Sequence, residues 1–210
     1  MKKRNLPLMY MACLLLVSLL LAAVPASDNG YSVGDTARDF KLKNVNGKMV
    51  SMADYKDAKG FIVTFTCNSC PYSVAYEDRL IDLHNKYAPK GYPVIAINPN
   101  DAKVSPKDSF EQMQVRAKEK AFPFAYVYDQ TQEITKAYGA TRTPHLYVVQ
   151  KQKDGSFKVA YIGTIDDNYK DASQVQKKYA EAALDELVSG QKVSQPNTKA
   201  IGCTIKWKEA

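Results

Sequence analysis

Cys67-Asn68-Ser69-Cys70 sets two thiols two residues apart, where an apolar run gives way to a helical pattern. Residues 61–66 are β-branched and aromatic on both parities, which predicts a strand buried on both faces. Beyond the pair, Tyr76, Leu80, Leu83 and Tyr87 recur at the spacing of one helix face. A helix N-terminus carries unsatisfied N–H groups and a positive partial charge. On that basis Cys67 is the stabilised thiolate, the more acidic and more exposed sulfur, and the attacking one. Cys70 closes the disulfide and releases a mixed-disulfide partner. Pro71 fits, because the first turn needs no N–H from it. A purely structural disulfide here would close too short a loop to constrain the chain. Zinc requires four ligands, and the other candidates are Cys203, His84 and His145, with no second paired motif. The pattern therefore points to redox chemistry, with no metal and no cofactor.

The start of the chain sets the compartment. Lys2, Lys3 and Arg4 precede an apolar run over residues 8–24 broken only by Ser18, and Val24-Pro25-Ala26 offers small residues for cleavage. Residues 1–26 thus read as a signal peptide, or residues 8–24 as an anchor retained in the inner membrane. Cys13 lies near the start of the run, not after it, which argues against a lipid-modified cysteine. Either way the globular part is exported and periplasmic, an oxidising setting in which cysteines pair or exchange. The 210 residues are 45% hydrophobic and 24% charged, ordinary for a globular chain. The net charge of +7 owes three units to the leader, and the remaining lysines interleave with Asp and Glu. No nucleic-acid footprint emerges.

From Asp39 onward the chain alternates as an α/β protein. Residues 39–43 and 48–52 flank the turn Asn44-Val45-Asn46-Gly47 as a hairpin. A second buried strand covers residues 92–97. Ser105-Pro106 opens a helix running to residue 120. Residues 125–128 form a third strand, followed by a short helix capped by Asp129 and stopped by Gly139. Strands at 145–150 and 157–162 surround Asp154-Gly155, and a last helix spans 174–187, ended by Gly190. Residues 191–210 lack a clear period, yet Ile201, Ile205 and Trp207 predict a tail packed on the domain.

Tyr138-Gly139-Ala140-Thr141-Arg142-Thr143-Pro144 precedes the late hairpin, Gly163 and the last helix. With the Cys pair, this block resembles the thioredoxin superfamily over residues 61–190. The resemblance implies a thioredoxin fold: a central mixed β-sheet flanked by helices, here with an N-terminal β-hairpin extension and a helical insert. It also implies that Thr143-Pro144 is cis and that Thr143 and Pro144 hold a bound peptide beside the sulfurs. The domain then runs over residues 27–190. A closer similarity is to the exported redoxins, the peroxiredoxin-like AhpC/TSA group. Val33-Gly34-Asp35 leading to Phe40, the helical insert, residues 65–72 and the tail 203–208 carry it. There are departures. Thr66 stands where thioredoxins carry Trp, Phe61 where they bury an acid, and Gly60 where peroxiredoxins have Pro, although Thr64 keeps their threonine step.

The implied function is a monomeric, exported thiol–disulfide oxidoreductase acting on protein disulfides and drawing electrons from a membrane-embedded reductant carrier. One alternative is a thiol peroxidase, with Cys67 oxidised to a sulfenic acid and resolved by Cys70 or Cys203 while Thr64 and Arg142 polarise the peroxide. Another is a copper metallochaperone using the two thiolates and His145, although that family spaces its cysteines one residue further apart. His145 either tunes the thiolate or packs as a strand residue; His84 reads as structural. Cys203 is an odd thiol, a resolving cysteine or a small buried hydrophobe. The expectation is that it lies on the far face or edge of the domain.

Overall fold

The structure, a computed structural model, describes residues 30–209. The leader or anchor expected over residues 1–26 lies outside them. Among the described residues no helix is long and apolar enough to cross a membrane.

In chain order the elements are β1 (Thr36–Ala37), β2 (Leu42–Asn44), β3 (Met49–Val50), β4 (Gly60–Phe65), α1 (Pro71–Tyr87), β5 (Val94–Asn98) and α2 (Phe110–Glu119). Then follow β6 (Ala125–Tyr128), α3 (Glu133–Tyr138), β7 (Arg142–Thr143), β8 (His145–Lys151), β9 (Phe157–Gly163), α4 (Tyr179–Val188) and β10 (Cys203–Thr204). Eight strands form one mixed sheet in the order β1-β9-β8-β4-β5-β6-β2-β3, and β10 pairs with β7 in a separate two-stranded ladder. β4 lies parallel to β5 and antiparallel to β8, and β5 lies parallel to β6. This is the thioredoxin fold, with β2 and β3 as the added hairpin on the β6 edge.

β4 is buried along its whole length because both of its faces are covered. Ile62 joins a core with Tyr76, Leu80, Leu83 and Tyr87 of α1 and Leu184 of α4. Phe61, Val63 and Phe65 point to the other side, against Met52, Ile134 and Tyr138. Alternate side chains leave a strand on opposite faces, so a sheet covered on both sides needs apolar residues at every position.

Two helices are shorter than their sequence pattern predicts. The stretch from Ser105 breaks into a 3-10 turn at Pro106–Asp108 and then α2, because Ser109 adopts extended backbone and its hydroxyl caps a fresh helix at the Gln112 N–H. α4 begins only at Tyr179. The segment before it is tied elsewhere: Gln176 N–H donates to the Asp167 carboxylate and Asp167 N–H to the Lys177 carbonyl. Those bonds take up backbone groups that a helix would have needed.

The tail returns across the site end of the sheet. Thr198 N–H donates to Ile162 O, and Thr198 Oγ1 accepts from the Thr164 N–H. Further on, Lys206 O accepts from Asp101 N–H and from the Gln132 side chain, while Lys206 N–H and Lys208 N–H donate to Asn100 and Gln132. Of the three apolar residues expected to dock, only Ile205 does so, at 4% exposure; Ile201 and Trp207 stay open at 41% and 39%. The reason is the hold itself: main-chain hydrogen bonds fix the tail, so its side chains need not all face inward.

Candidate active site

Pro71 is the first residue of α1, which makes Cys70 the N-cap, with extended backbone at φ −74° and ψ 123°. Proline favours this first helical position because its fixed φ suits the helix and its missing N–H is not needed. The Ser73 N–H of the first turn favours the Cys70 thiolate, and the Cys70 N–H that of Cys67. Both residues are buried, each at 3% exposure. Cys70 Sγ lies 3.0 Å from the Thr143 carbonyl oxygen, and Cys67 Sγ 3.3 Å from Thr143 Oγ1. The Thr143–Pro144 bond is cis, the isomer that the resemblance implies.

The contacts around the two sulfurs favour a thiolate at Cys70, where the sequence expectation places it at Cys67. Cys70 is pushed down to about 4, first by the Cys67 S–H and then by the Cys203 thiol and the backbone N–H groups of Ser73 and Cys203. Cys67 moves up from the ordinary thiol range, because its S–H is held by Cys70, it is buried, and the Asp108 carboxylate repels a second negative charge. Burial of Cys70 and the Thr143 carbonyl, which suits a Cys70 S–H, oppose this arrangement, and the Thr143 hydroxyl and the Cys70 N–H favour a Cys67 thiolate.

Asp108 is the residue that sequence reasoning missed. It is fully buried. Its Oδ1 accepts the backbone N–H groups of Asn68 and Ser69 at 2.8 and 3.1 Å. Its Oδ2 accepts from Ser69 Oγ, Ser105 Oγ and Asn100 Nδ2 at 2.7, 2.6 and 2.8 Å. The two residues between the cysteines are thus clamped to a carboxylate from the insert. Asn68 is held further by the Lys107 carbonyl and the Tyr126 hydroxyl, both at 2.9 Å. A local cue existed in Ser105-Pro106-Lys107-Asp108, a turn with a carboxylate three residues after the serine. The partner it binds is some forty residues away, which no local pattern reveals.

The accessory candidates scatter. Thr64 is fully buried, and its hydroxyl has no hydrogen-bond partner among the described residues. Thr66 is buried and its N–H donates to Ile97 O. Arg142 is exposed on β7 and reaches the Gly202 carbonyl at 3.4 Å. It faces the tail, so it does not join Thr64 in a peroxide site at Cys67. His145 is buried at the start of β8, with Nδ1 turned to Thr141 N–H and the Tyr147 hydroxyl, each at 3.4 Å. Burial drives it down to about 4, so it is neutral. Among the described residues no group of three or more His, Cys, Asp or Glu side chains could hold a metal ion.

Cys203, expected on the far face or edge, instead joins the site. β10 pairs antiparallel with β7, with Cys203 opposite Thr143 and Thr204 opposite Arg142. Its thiol and its backbone N–H lie close enough to Cys70 to favour the Cys70 thiolate. Gly202 makes this approach possible, because a Cβ there would overlap the Thr143 carbonyl. Burial and the neighbouring Cys70 push the Cys203 thiol up to about 11, while Lys206 and Arg142 pull the other way.

Comparison with known proteins agrees with this architecture. The AhpC/TSA family model matches residues 33–156. Among curated proteins, the chain is similar to the thiol-disulfide oxidoreductase ResA of Geobacillus thermodenitrificans, 25% identical over 171 residues that cover 78% of this chain and 91% of that one. Among solved structures, an uncharacterized conserved protein from Geobacillus kaustophilus is 39% identical with a TM-score of 0.78, covering 87% of this chain and 95% of its own. A hypothetical protein from Sinorhizobium meliloti 1021 is 31% identical with a TM-score of 0.79, covering 87% and 98%.

Proposed function

Because this chain belongs to the AhpC/TSA family, we propose that it is an exported thiol–disulfide oxidoreductase whose redox centre is the Cys67–Cys70 pair. The chain is an oxidoreductase; its proposed substrates are protein disulfides. The observation that carries the reading is the convergence of both sulfurs on Thr143, at 3.0 and 3.3 Å, with Cys70 at the helix N-terminus.

In the reducing direction, a thiolate of the pair attacks a substrate disulfide and expels one substrate thiolate. The second sulfur of the pair then attacks the mixed disulfide, which frees the other substrate thiolate and leaves Cys67–Cys70 oxidised. Two electrons pass to the substrate, and the thiol protons go to the released thiolates. Thr143 and Pro144 are proposed to hold the substrate backbone, on the β7 edge that β10 occupies in the structure. A membrane-embedded dithiol carrier would restore the pair. The chain would work as a monomer outside the cytoplasm, delivered by the cationic and apolar stretch over residues 1–26.

Reduction of insulin by the purified protein, with Cys67→Ser and Cys70→Ser as controls, tests this reading. Both variants should lose catalysis. An equally active Cys70→Ser protein would overturn the pair as the redox centre. A measured potential for the pair then gives its working direction: a value near thioredoxin's marks a reductant, one near the strong oxidants' a disulfide donor.

A further inference from the structure

Three thiols meet at this site, and the two that form the motif are the ones closed to solvent. Cys67 and Cys70 are each 3% exposed, whereas Cys203 is only partly buried. Beside them β10 lies along the β7 edge as an added antiparallel strand. An extended substrate entering beside the sulfurs would form the same main-chain pairing. The fit is specific, since Gly202 is the residue at which any side chain would strike the Thr143 carbonyl. Next to Gly202, a cleft of about 580 Å³ opens between Tyr72, Arg142, His145 and tail residues 199–202. The cleft reaches Gly202, the residue before the partly exposed thiol.

We propose that the tail is an internal substrate strand and that Cys203 is a third exchanging thiol, carrying disulfide exchange between the buried pair and an external dithiol. This rests on the Cys67–Cys70 reading above. Starting from the oxidised pair, the Cys203 thiolate attacks Cys70 Sγ. A Cys70–Cys203 bond forms, the Cys67–Cys70 bond breaks, and Cys67 leaves as a thiolate that takes up a proton. No electrons enter or leave in this step. An external dithiol then attacks Cys203, expelling the Cys70 thiolate. Its second thiol closes its own disulfide and frees Cys203, so two electrons pass from the dithiol to the pair. Oxidation of the pair also removes the Cys70 charge that opposes ionisation of Cys203, while Lys206 and Arg142 remain to favour it. Cys203 is therefore readiest to attack when there is a disulfide to attack.

The test uses full-length protein and dithiothreitol. In Cys67→Ser, mild oxidation with diamide should join Cys70 to Cys203, seen by tryptic peptide mapping. In Cys203→Ser, the Cys67–Cys70 disulfide should still form, but dithiothreitol should reduce it at least tenfold more slowly. Gly202→Val added to Cys203→Ser should restore the rate by displacing the tail. Free thiols in oxidised Cys67→Ser, or an unchanged reduction rate in Cys203→Ser, would overturn the relay. Failure of Cys203→Ser to form any Cys67–Cys70 disulfide would instead overturn the underlying pair.

Discussion

Cys203 stands directly opposite Thr143 in the β10–β7 ladder, so one residue of the tail is in register with the residue that faces both motif sulfurs. The same register brings the Cys203 thiol and N–H to Cys70, where both favour its thiolate.

The first prediction concerns where the negative charge sits. Thiolate absorbance near 240 nm in the reduced protein should titrate far below the free thiol value of ~8.5. The low transition should survive Cys67→Ser, which keeps an O–H donor, and vanish in Cys70→Ser. Loss in Cys67→Ser with retention in Cys70→Ser would return the charge to Cys67.

Stability should depend on pH differently in the reduced and oxidised forms. Cys70 falls from 9.0 to about 4 on folding, so between those values the folded protein lacks a proton that the unfolded chain keeps. Reduced stability therefore rises with pH across that window and is lost as pH falls toward about 4. Above 9.0 the unfolded chain ionises Cys67, which the fold holds protonated, and stability declines again. His145, lowered from 6.5 to about 4, adds a rise over that narrower range in both forms. Subtracting oxidised from reduced denaturation midpoints isolates the thiols; a flat difference from pH 4 to 9 would refute the assignment.

Asp108→Ala should destabilise the protein by roughly 3 kcal/mol or more, since each buried donor left without its acceptor costs about 1–3 kcal/mol. Two backbone N–H groups, two hydroxyls and an amide lose their acceptor at once. Removing the carboxylate should also ease ionisation of Cys67 and shift the potential of the pair. Urea titration measures the first effect and redox titration the second. A loss under about 1 kcal/mol would mean that the clamp carries little stability.

Hydrogen peroxide should oxidise Cys67 no faster than a free thiol, and Arg142→Ala should leave that rate unchanged. Arg142 is spent on the Gly202 carbonyl, away from Thr64. Stopped-flow oxidation of the reduced protein measures it, and rapid oxidation that depends on Arg142 would reinstate a peroxidase.

The central strand, the face of α1 and the late hairpin are legible in the sequence because periodicity records burial directly. β4 carries apolar residues on both parities since both its faces are covered, and Tyr76, Leu80, Leu83 and Tyr87 all turn inward. The cap position was also written locally: Pro71 marks the first helical residue and so places Cys70, not Cys67, at the N-cap. Asp108 and Cys203 are different. Each reaches the site through contacts with residues distant in the chain, and neither contact leaves a periodic trace. The tail misled for a related reason. Its apolar residues suggested burial, but main-chain hydrogen bonds hold it and leave no side-chain pattern to read.

Ile205 as the one buried apolar side chain among Ile201, Ile205 and Trp207 has a thermodynamic corollary. The response of a transition to urea, and its heat-capacity change, scale with the surface it uncovers. Lifting the tail from β7 would uncover little, so that opening should be almost insensitive to low urea while global unfolding is not. Amide exchange at Cys203, Lys206 and Lys208 should then proceed by small local excursions, at rates that stay level as denaturant rises. The lid over the sulfurs would be a separate cooperative unit, able to come and go while the sheet beneath it stays folded.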